Sequence, residues 1–385
     1  MSRAGKRTLS SARTAKQDEF YTQLPDIANE LKHYKDQLRG KVVLCNCDDP
    51  YESHFFQYFA LNFNELGLKK LICTSYAGSP IVGELFPPEE MAGMKPDKKE
   101  PYLVEINEVG DLTNDGAIGM ADIDHLLRHD ANASRPLKGN DTYGAGDFRS
   151  PECIEVLKRA HVVVTNPPFS LFREYVAQLV EHDKKFLIIG NKNAITYKEF
   201  FMLIQDNRAW LGTTPMGTDM LFDVPVCVAE EMIKSGKEGS NYKIVKGKVL
   251  GRSTSTWFTN MDHKKRHEEI KLFKKYTPGE YPKYDNYDAI NVNKVADIPE
   301  DYEGAMGVPI TFLGKHNPEQ FEIIGNGQSM ANELGIEPVG QKFVADYYAQ
   351  GNKGQITAKW INLVYHIGTK VCVPYLRILI KHRRK

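Results

Sequence analysis

Over residues 41–206 short aliphatic or β-branched runs alternate with stretches of helical periodicity, the pattern of a parallel sheet wrapped by helices. Val42-Val43-Leu44-Cys45 reads as a buried strand, and Ser53 can cap a helix over about residues 55–66. Lys70-Leu71-Ile72-Cys73-Thr74 is the next strand. Ser150-Pro151-Glu152 then supplies a capping hydroxyl, a proline at the first helical position and an acid at the positive helix end. His161-Val162-Val163-Val164-Thr165 is the clearest strand of the chain. Ser170 is expected to open a helix with Leu171, Phe172, Tyr175, Val176, Leu179 and Val180 on one face. Lys185-Phe186-Leu187-Ile188-Ile189 repeats the pattern, and Thr196-Tyr197-Lys198-Glu199 has capping-box spacing for a helix carrying Phe200, Phe201 and Ile204.

The remainder reads differently. Residues 77–146 hold few apolar runs and much Gly, Asp and Asn, as a surface insertion would. Beyond Trp210, short extended runs at 209–214, 221–226 and 255–259 look antiparallel, and from His263 the alternation ceases, which predicts a second module. A chain of 385 residues is long enough for two domains, and 41% apolar with 26% charged residues is ordinary globular composition. No apolar run approaches the ~20 residues of a membrane span and no signal peptide is visible, so a cytoplasmic protein is expected. Six cysteines lack zinc-site spacing and read as reduced core residues, with no metal expected. The net charge is zero, yet both ends are cationic: Arg3, Lys6, Arg7, Arg13 and Lys16 at one, Lys381-His382-Arg383-Arg384-Lys385 at the other. Solvated tails and phosphate contact both suit such runs.

Ligands of open parallel sheets bind at the carboxyl ends of strands, which is where Asn166-Pro167-Pro168-Phe169 lies. Two prolines in succession fix the backbone and hold Asn166 and the Pro167 carbonyl in a preset geometry. Such a pair of acceptors suits an aromatic amine like adenine N6, whose lone pair is delocalised into the ring. If the Asn166 side-chain oxygen and the Pro167 carbonyl each accept one N6 hydrogen, the nitrogen is drawn toward tetrahedral geometry as a sulfonium methyl is transferred in line. Phe169 can stack on the base. The same tetrapeptide also serves as a plain strand-to-helix turn in which Phe169 enters the core.

Longer strings carry a family resemblance. They are Asp18-Glu19-Phe20-Tyr21-Thr22-Gln23, residues 43–50, Gly146-Asp147-Phe148-Arg149-Ser150, residues 162–175 and 184–189, and Ile195-Thr196-Tyr197-Lys198-Glu199. Tyr281-Pro282-Lys283-Tyr284-Asp285-Asn286-Tyr287-Asp288 with residues 289–294, then residues 306–313 and Asn317-Pro318-Glu319-Gln320-Phe321, complete them. The chain resembles the EcoRI-type adenine-specific DNA methyltransferases from about residue 18 to 321. The resemblance implies an α/β, Rossmann-like S-adenosylmethionine-dependent methyltransferase sheet with a C-terminal target-recognition module. It divides the chain into a basic tail (1–17), a catalytic domain (18–262, with 77–146 partly insertion) and a DNA target-recognition domain (263–385).

Asp18, Phe20, Tyr21 and Thr22, together with the loop after the first strand, would bind S-adenosylmethionine, and Asp147 and Phe148 would flank its adenine. Asn46, Cys47 and Asp48 follow a strand, where amides and a carboxylate can receive the methionine moiety. This loop departs from the glycine-rich turn common among methyltransferases, and Cys73-Thr74-Ser75 offers no acid for the ribose, whose contact stays unassigned. Double-stranded DNA is the implied partner, with the target adenine rotated out of the helix. The enzyme would work beside a cognate restriction endonuclease, without a stable protein complex, or as an orphan or phage enzyme. His263-Lys264-Lys265-Arg266 with Lys271, Lys274 and Lys275 are candidate phosphate contacts.

Three rivals share parts of this pattern. An RNA adenine N6-methyltransferase would use the same loop on an unpaired base. A protein-glutamine methyltransferase typically carries Tyr where Phe169 stands. A catalytically inactive DNA-binding relative would keep the basic segments and fail to bind the cofactor.

Overall fold

A computed structural model of the chain describes residues 21–47, 53–75, 101–114, 116, 118–119, 121–123, 125, 134–218, 220–224 and 226–383. The chain divides into two compact units, one of residues up to Lys192 with Gly212–Met261, the other of Asn193–Leu211 with residues from Asp262 onward.

In the first unit the elements are β1 (Tyr21–Thr22), α1 (Leu24–Leu31), β2 (Val42–Cys45), α2 (His54–Leu61), β3 (Lys70–Thr74), β4 (Tyr102–Ile106), β5 (Ser134–Pro136), α3 (Pro151–Arg159), β6 (Val162–Thr165), α4 (Phe172–Glu181) and β7 (Lys185–Asn191). Then come β8 (Met220–Asp223), β9 (Tyr242–Val245), β10 (Lys248–Ser253) and β11 (Ser255–Thr259). The strands β5-β4-β3-β2-β6-β7-β11 lie side by side in that order. The centre is parallel and the flanks antiparallel, which makes the architecture mixed α/β. Every residue of β2 and β6 is buried, which is why both read as unbroken apolar runs rather than alternating ones. Val43, Cys45, Leu71, Cys73, Val162 and Val164 face one apolar cluster with Ile27, Leu31, Phe55, Phe56, Phe59 and Trp257. By strand alternation Asn46, Thr74 and Thr165 belong to the opposite face. A second, antiparallel sheet runs β1-β8-β10-β9.

Part of the expected surface insertion is sheet. The buried strand β4 pairs with β3, and β5 pairs with β4. Its single charged residue, Glu105, masks the apolar run and is neutralised between Lys70 (2.6 Å) and Arg159 (2.6 Å), which hold its carboxyl below the usual range against the effect of burial. Two expected helix starts also differ. Ser53 and Ser150 cap α2 and α3 by accepting from the amides of Phe56 (3.4 Å) and Cys153 (3.2 Å). Ser170 and Thr196, by contrast, lie in 3₁₀ turns, and the following helices begin at Phe172 and Lys198 with no side-chain cap. Cys45, Cys47, Cys73 and Cys153 are buried and form no disulfide, and burial pushes the Cys153 thiol up to about 11.

The second unit contains α5 (Lys198–Gln205), β12 (Ala289–Asn291), β13 (Ala305–Pro309), β14 (Phe321–Asn326), α6 (Gly340–Ala349), β15 (Tyr365–Ile367), β16 (Lys370–Cys372) and β17 (Arg377–His382). The helix α5 reads in sequence as one more repeat of the catalytic sheet, but it belongs here, where Gln205 donates to the Ile324 carbonyl (2.7 Å) and Lys198 pairs with Glu333. The sheet order is β12-β13-β17-β14. The C-terminal basic run is not all tail: Lys381 and His382 end β17, whose Ile378, Leu379 and Ile380 are fully buried. The basic stretch after His263 forms a short 3₁₀ helix (Lys264–His267). Among the described residues no helix is long and apolar enough to cross a membrane.

Candidate active site

Because β2 and β6 are adjacent and parallel, with Val43 opposite Val162 and Leu44 opposite Val163, the segments that follow them emerge side by side. Two hydrogen bonds stitch them together. Thr165 Oγ1 donates to the Asn46 carbonyl, and Tyr175 Oη, from α4, donates to Asn46 Oδ1. Cys47 takes the left-handed conformation (φ 72°), so the chain turns abruptly after Asn46. On the other side, Asn166 is buried, as are Pro167 and Pro168. The amide of Leu171 donates to the Pro168 carbonyl (3.0 Å), so the turn closes on the second proline. Phe169 is half-buried, packed against the main apolar cluster with part of its surface left exposed. Asn166 thus stands on a backbone fixed by the strand behind it and the proline-closed turn ahead.

Asp147 and Phe148 approach the same edge through Tyr175. The Phe148 ring meets the Tyr175 ring edge-on at 4.9 Å, and Gln178 Nε2 donates to the Phe148 carbonyl (3.1 Å). The Asp147 carboxylate is engaged by Arg149, whose Nε and Nη2 donate to Oδ1 (3.0 Å) and Oδ2 (2.8 Å). Arg149 also reaches Glu174 (3.0 Å), and these carboxylates, Asp147 first, raise the guanidinium further above its ordinary value. A bidentate pair of this kind, 14% and 7% exposed, fixes the loop that carries Phe148 and leaves the carboxylate few lone pairs for another donor.

The strand β1 is drawn to this edge by His54, at the start of α2, whose Nδ1 donates to the Thr22 carbonyl (2.7 Å). Thr22 is 3% exposed and Thr74, at the end of β3, is 1% exposed. Neither hydroxyl has a hydrogen-bond partner among the described residues. The neighbouring Ser75 Oγ, by contrast, accepts from the Tyr102 amide (2.9 Å). Buried hydroxyls are rarely left without a partner, so Thr22 and Thr74 mark places where a polar ligand would be accommodated.

The carboxyl edge of the parallel strands therefore gathers Thr22, Asn46, Cys47, Phe148 and Asn166–Phe169. Asp18, Phe20 and Asp48 lie outside the described residues, and for Tyr21 only the backbone strand is described. Sequence reasoning missed Tyr175, Arg149, Thr165 and Thr74. Tyr175 was visible only as one apolar position of a helix face, and its partner is 129 residues away in sequence.

Three relatives and one family model match the chain. The model of the family described as "Adenine-specific methyltransferase EcoRI" matches residues 8–383. The chain is 46% identical over 323 residues to the type II methyltransferase M.EcoRI of Escherichia coli, covering 83% of this chain and 89% of that protein. It is 38% identical over 324 residues to the type II methyltransferase M.MpnI of Mycoplasma pneumoniae, covering 82% and 84%. To M.MgeORF184P of Mycoplasma genitalium, also a type II methyltransferase, it is 37% identical over 319 residues, covering 82% and 85%. No solved structure matches it.

Proposed function

Because the chain belongs to the EcoRI family of adenine-specific methyltransferases, it is a site-specific DNA adenine methyltransferase, and we propose that Asn166-Pro167-Pro168-Phe169 is its catalytic loop and S-adenosylmethionine its methyl donor. The observation that supports the assignment of the loop is the stitching of Asn46 to Thr165 and Tyr175, which brings the turn after β2 beside the strand end that carries Asn166.

The residues present suit that donor. Thr22 and Thr74 offer buried hydroxyls with no partner among the described residues, the chain turns sharply at Cys47 beside them, and Phe148 offers an aromatic ring. Tyr21, Thr22, Asn46 and Cys47 would hold the donor, with Asp18, Phe20 and Asp48 completing the set. Asp147 and Phe148 would flank its adenine, Asp147 through its backbone since Arg149 holds its carboxylate. When bound, the donor supplies a methyl carbon made electrophilic by a positively charged sulfur.

The chain's own residues do the rest. The Asn166 side-chain oxygen and the Pro167 carbonyl accept the two hydrogens of adenine N6, which concentrates the lone pair on nitrogen. Fixed acceptors need no reorganisation as charge develops, so rigidity is part of the catalysis. Phe169, anchored on one side in the core, presents its remaining face to the purine. Since the amine is paired and stacked within a duplex, the adenine is turned out of the helix before reaction. Residues 263–385 would read the DNA sequence, and a cognate endonuclease would share the target without sharing a complex.

Incubating random-sequence duplex DNA with the chain and S-adenosylmethionine, then mapping modified bases by direct sequencing, tests this reading. N6-methyladenine confined to one short sequence is expected. Methyl groups on cytosine, or none, would refute it.

A further inference from the structure

Phe273 is 82% exposed, while most large apolar side chains of the second unit are in its core. The segment that carries it is anchored on both sides. At one end of its segment the Gln320 side chain both donates to the Ile270 carbonyl (2.8 Å) and accepts from the Ile270 amide (2.8 Å). At the other, the Lys274 carbonyl accepts from the Glu300 amide (2.9 Å), Lys274 Nζ pairs with Asp297 (3.2 Å), and the Tyr276 amide donates to Asp301 (2.7 Å). Tyr276 is further packed against Tyr302 and Tyr281, at 4.6 and 5.8 Å between ring centres. The chain between these anchors holds Phe273 outward on a tethered support.

The surroundings name the partner. Lys271, Lys274 and Lys275 flank the ring in sequence, all exposed; of the acids beside the segment, Asp297 and Glu280 act on Lys274, and Asp301 accepts from the Tyr276 amide. Asp297 offsets Lys274, which leaves Lys271 and Lys275 bracketing the phenyl group. A flat apolar ring between two cations is complementary to stacked bases edged by phosphates. Proteins that distort duplex DNA often insert such an apolar wedge between base pairs.

We infer that Phe273 is a wedge that enters the DNA between base pairs while Lys271 and Lys275 contact phosphates on either side. The inference rests on duplex DNA being the substrate and adds a residue that deforms it.

The test uses the full chain and a 30-base-pair duplex containing the sequence that the wild-type enzyme methylates in plasmid DNA, with 2-aminopurine placed near the target. Phe273→Ala should weaken duplex binding roughly ten- to a hundred-fold and abolish the fluorescence rise that reports unstacking, whereas Phe273→Trp should retain both. Because the ring is exposed, both variants should melt with the wild type. The double variant Lys271→Ser, Lys275→Ser should lower the slope of log affinity against log salt by about two. Binding and fluorescence of Phe273→Ala within two-fold of wild type, or an unchanged salt slope, would overturn the inference. So would a change in sedimentation of the DNA-free protein on Phe273→Ala, which would make a second copy of the chain the partner. Failure of the wild type to methylate any duplex would instead bring down the underlying assignment of substrate.

Discussion

At the scale of single residues, the Tyr175 hydroxyl carries more than its place on a helix face suggests. The ring is fully buried and its hydroxyl aims the Asn46 side chain, while its edge supports Phe148. Tyr175→Phe should keep the fold and the Phe148 contact and lose only the bond to Asn46. A buried hydrogen bond is worth about 1 kcal/mol, so S-adenosylmethionine should bind roughly five- to ten-fold more weakly in a calorimetric titration. Unchanged affinity would mean that Asn46 is not oriented from α4. The strand-to-turn geometry at Asn166 was legible in sequence because two prolines after an apolar strand fix the backbone. The Tyr175–Asn46 and Arg149–Asp147 contacts were not. Periodicity assigns a side chain to a face, but which polar atom it meets there depends on how distant strands and helices are laid together.

At the scale of elements, capping separates what sequence decides locally from what it does not. Ser150 is fully buried, precedes Pro151 and accepts from the Cys153 amide, so Ser150→Ala should destabilise α3 by about 1 kcal/mol. Urea unfolding followed by circular dichroism would measure it, and an unchanged midpoint would show the cap to be redundant. Ser170 and Thr196 carry equally good local signals and cap nothing, because 3₁₀ turns separate them from the helices that follow. The parallel core β2, β3, β6 and β7 was readable from its unbroken apolar runs. The strand β4 was not, since Glu105 interrupts the run and the ions that neutralise it come from β3 and α3.

At the scale of the whole molecule, the two units should differ in their response to acid. Burial lowers the His316 imidazole to about 4, with Arg266 and Arg383 contributing, although its bond to the Phe321 carbonyl (3.0 Å) opposes the shift. The folded value lies below the unfolded value of about 6.5, so the neutral ring favours the fold. That contribution is complete above about pH 6.5 and is lost progressively as the pH falls toward 4, amounting to at most about 3 kcal/mol. Urea midpoints of the second unit should fall across this window, and His316→Gln should flatten the fall; a variant as acid-sensitive as wild type would contradict the assignment. The division of the chain was only partly readable. The change of character near His263 marks a boundary, but the helix α5 continues the earlier periodicity while belonging to the other unit. The most direct test of the central claim is single-turnover methyl transfer to duplex DNA by Asn166→Ala. The account predicts wild-type affinity for DNA and S-adenosylmethionine with transfer slowed by a factor on the order of 10²–10³ or more. Transfer to adenine within a few-fold of the wild-type rate would contradict it.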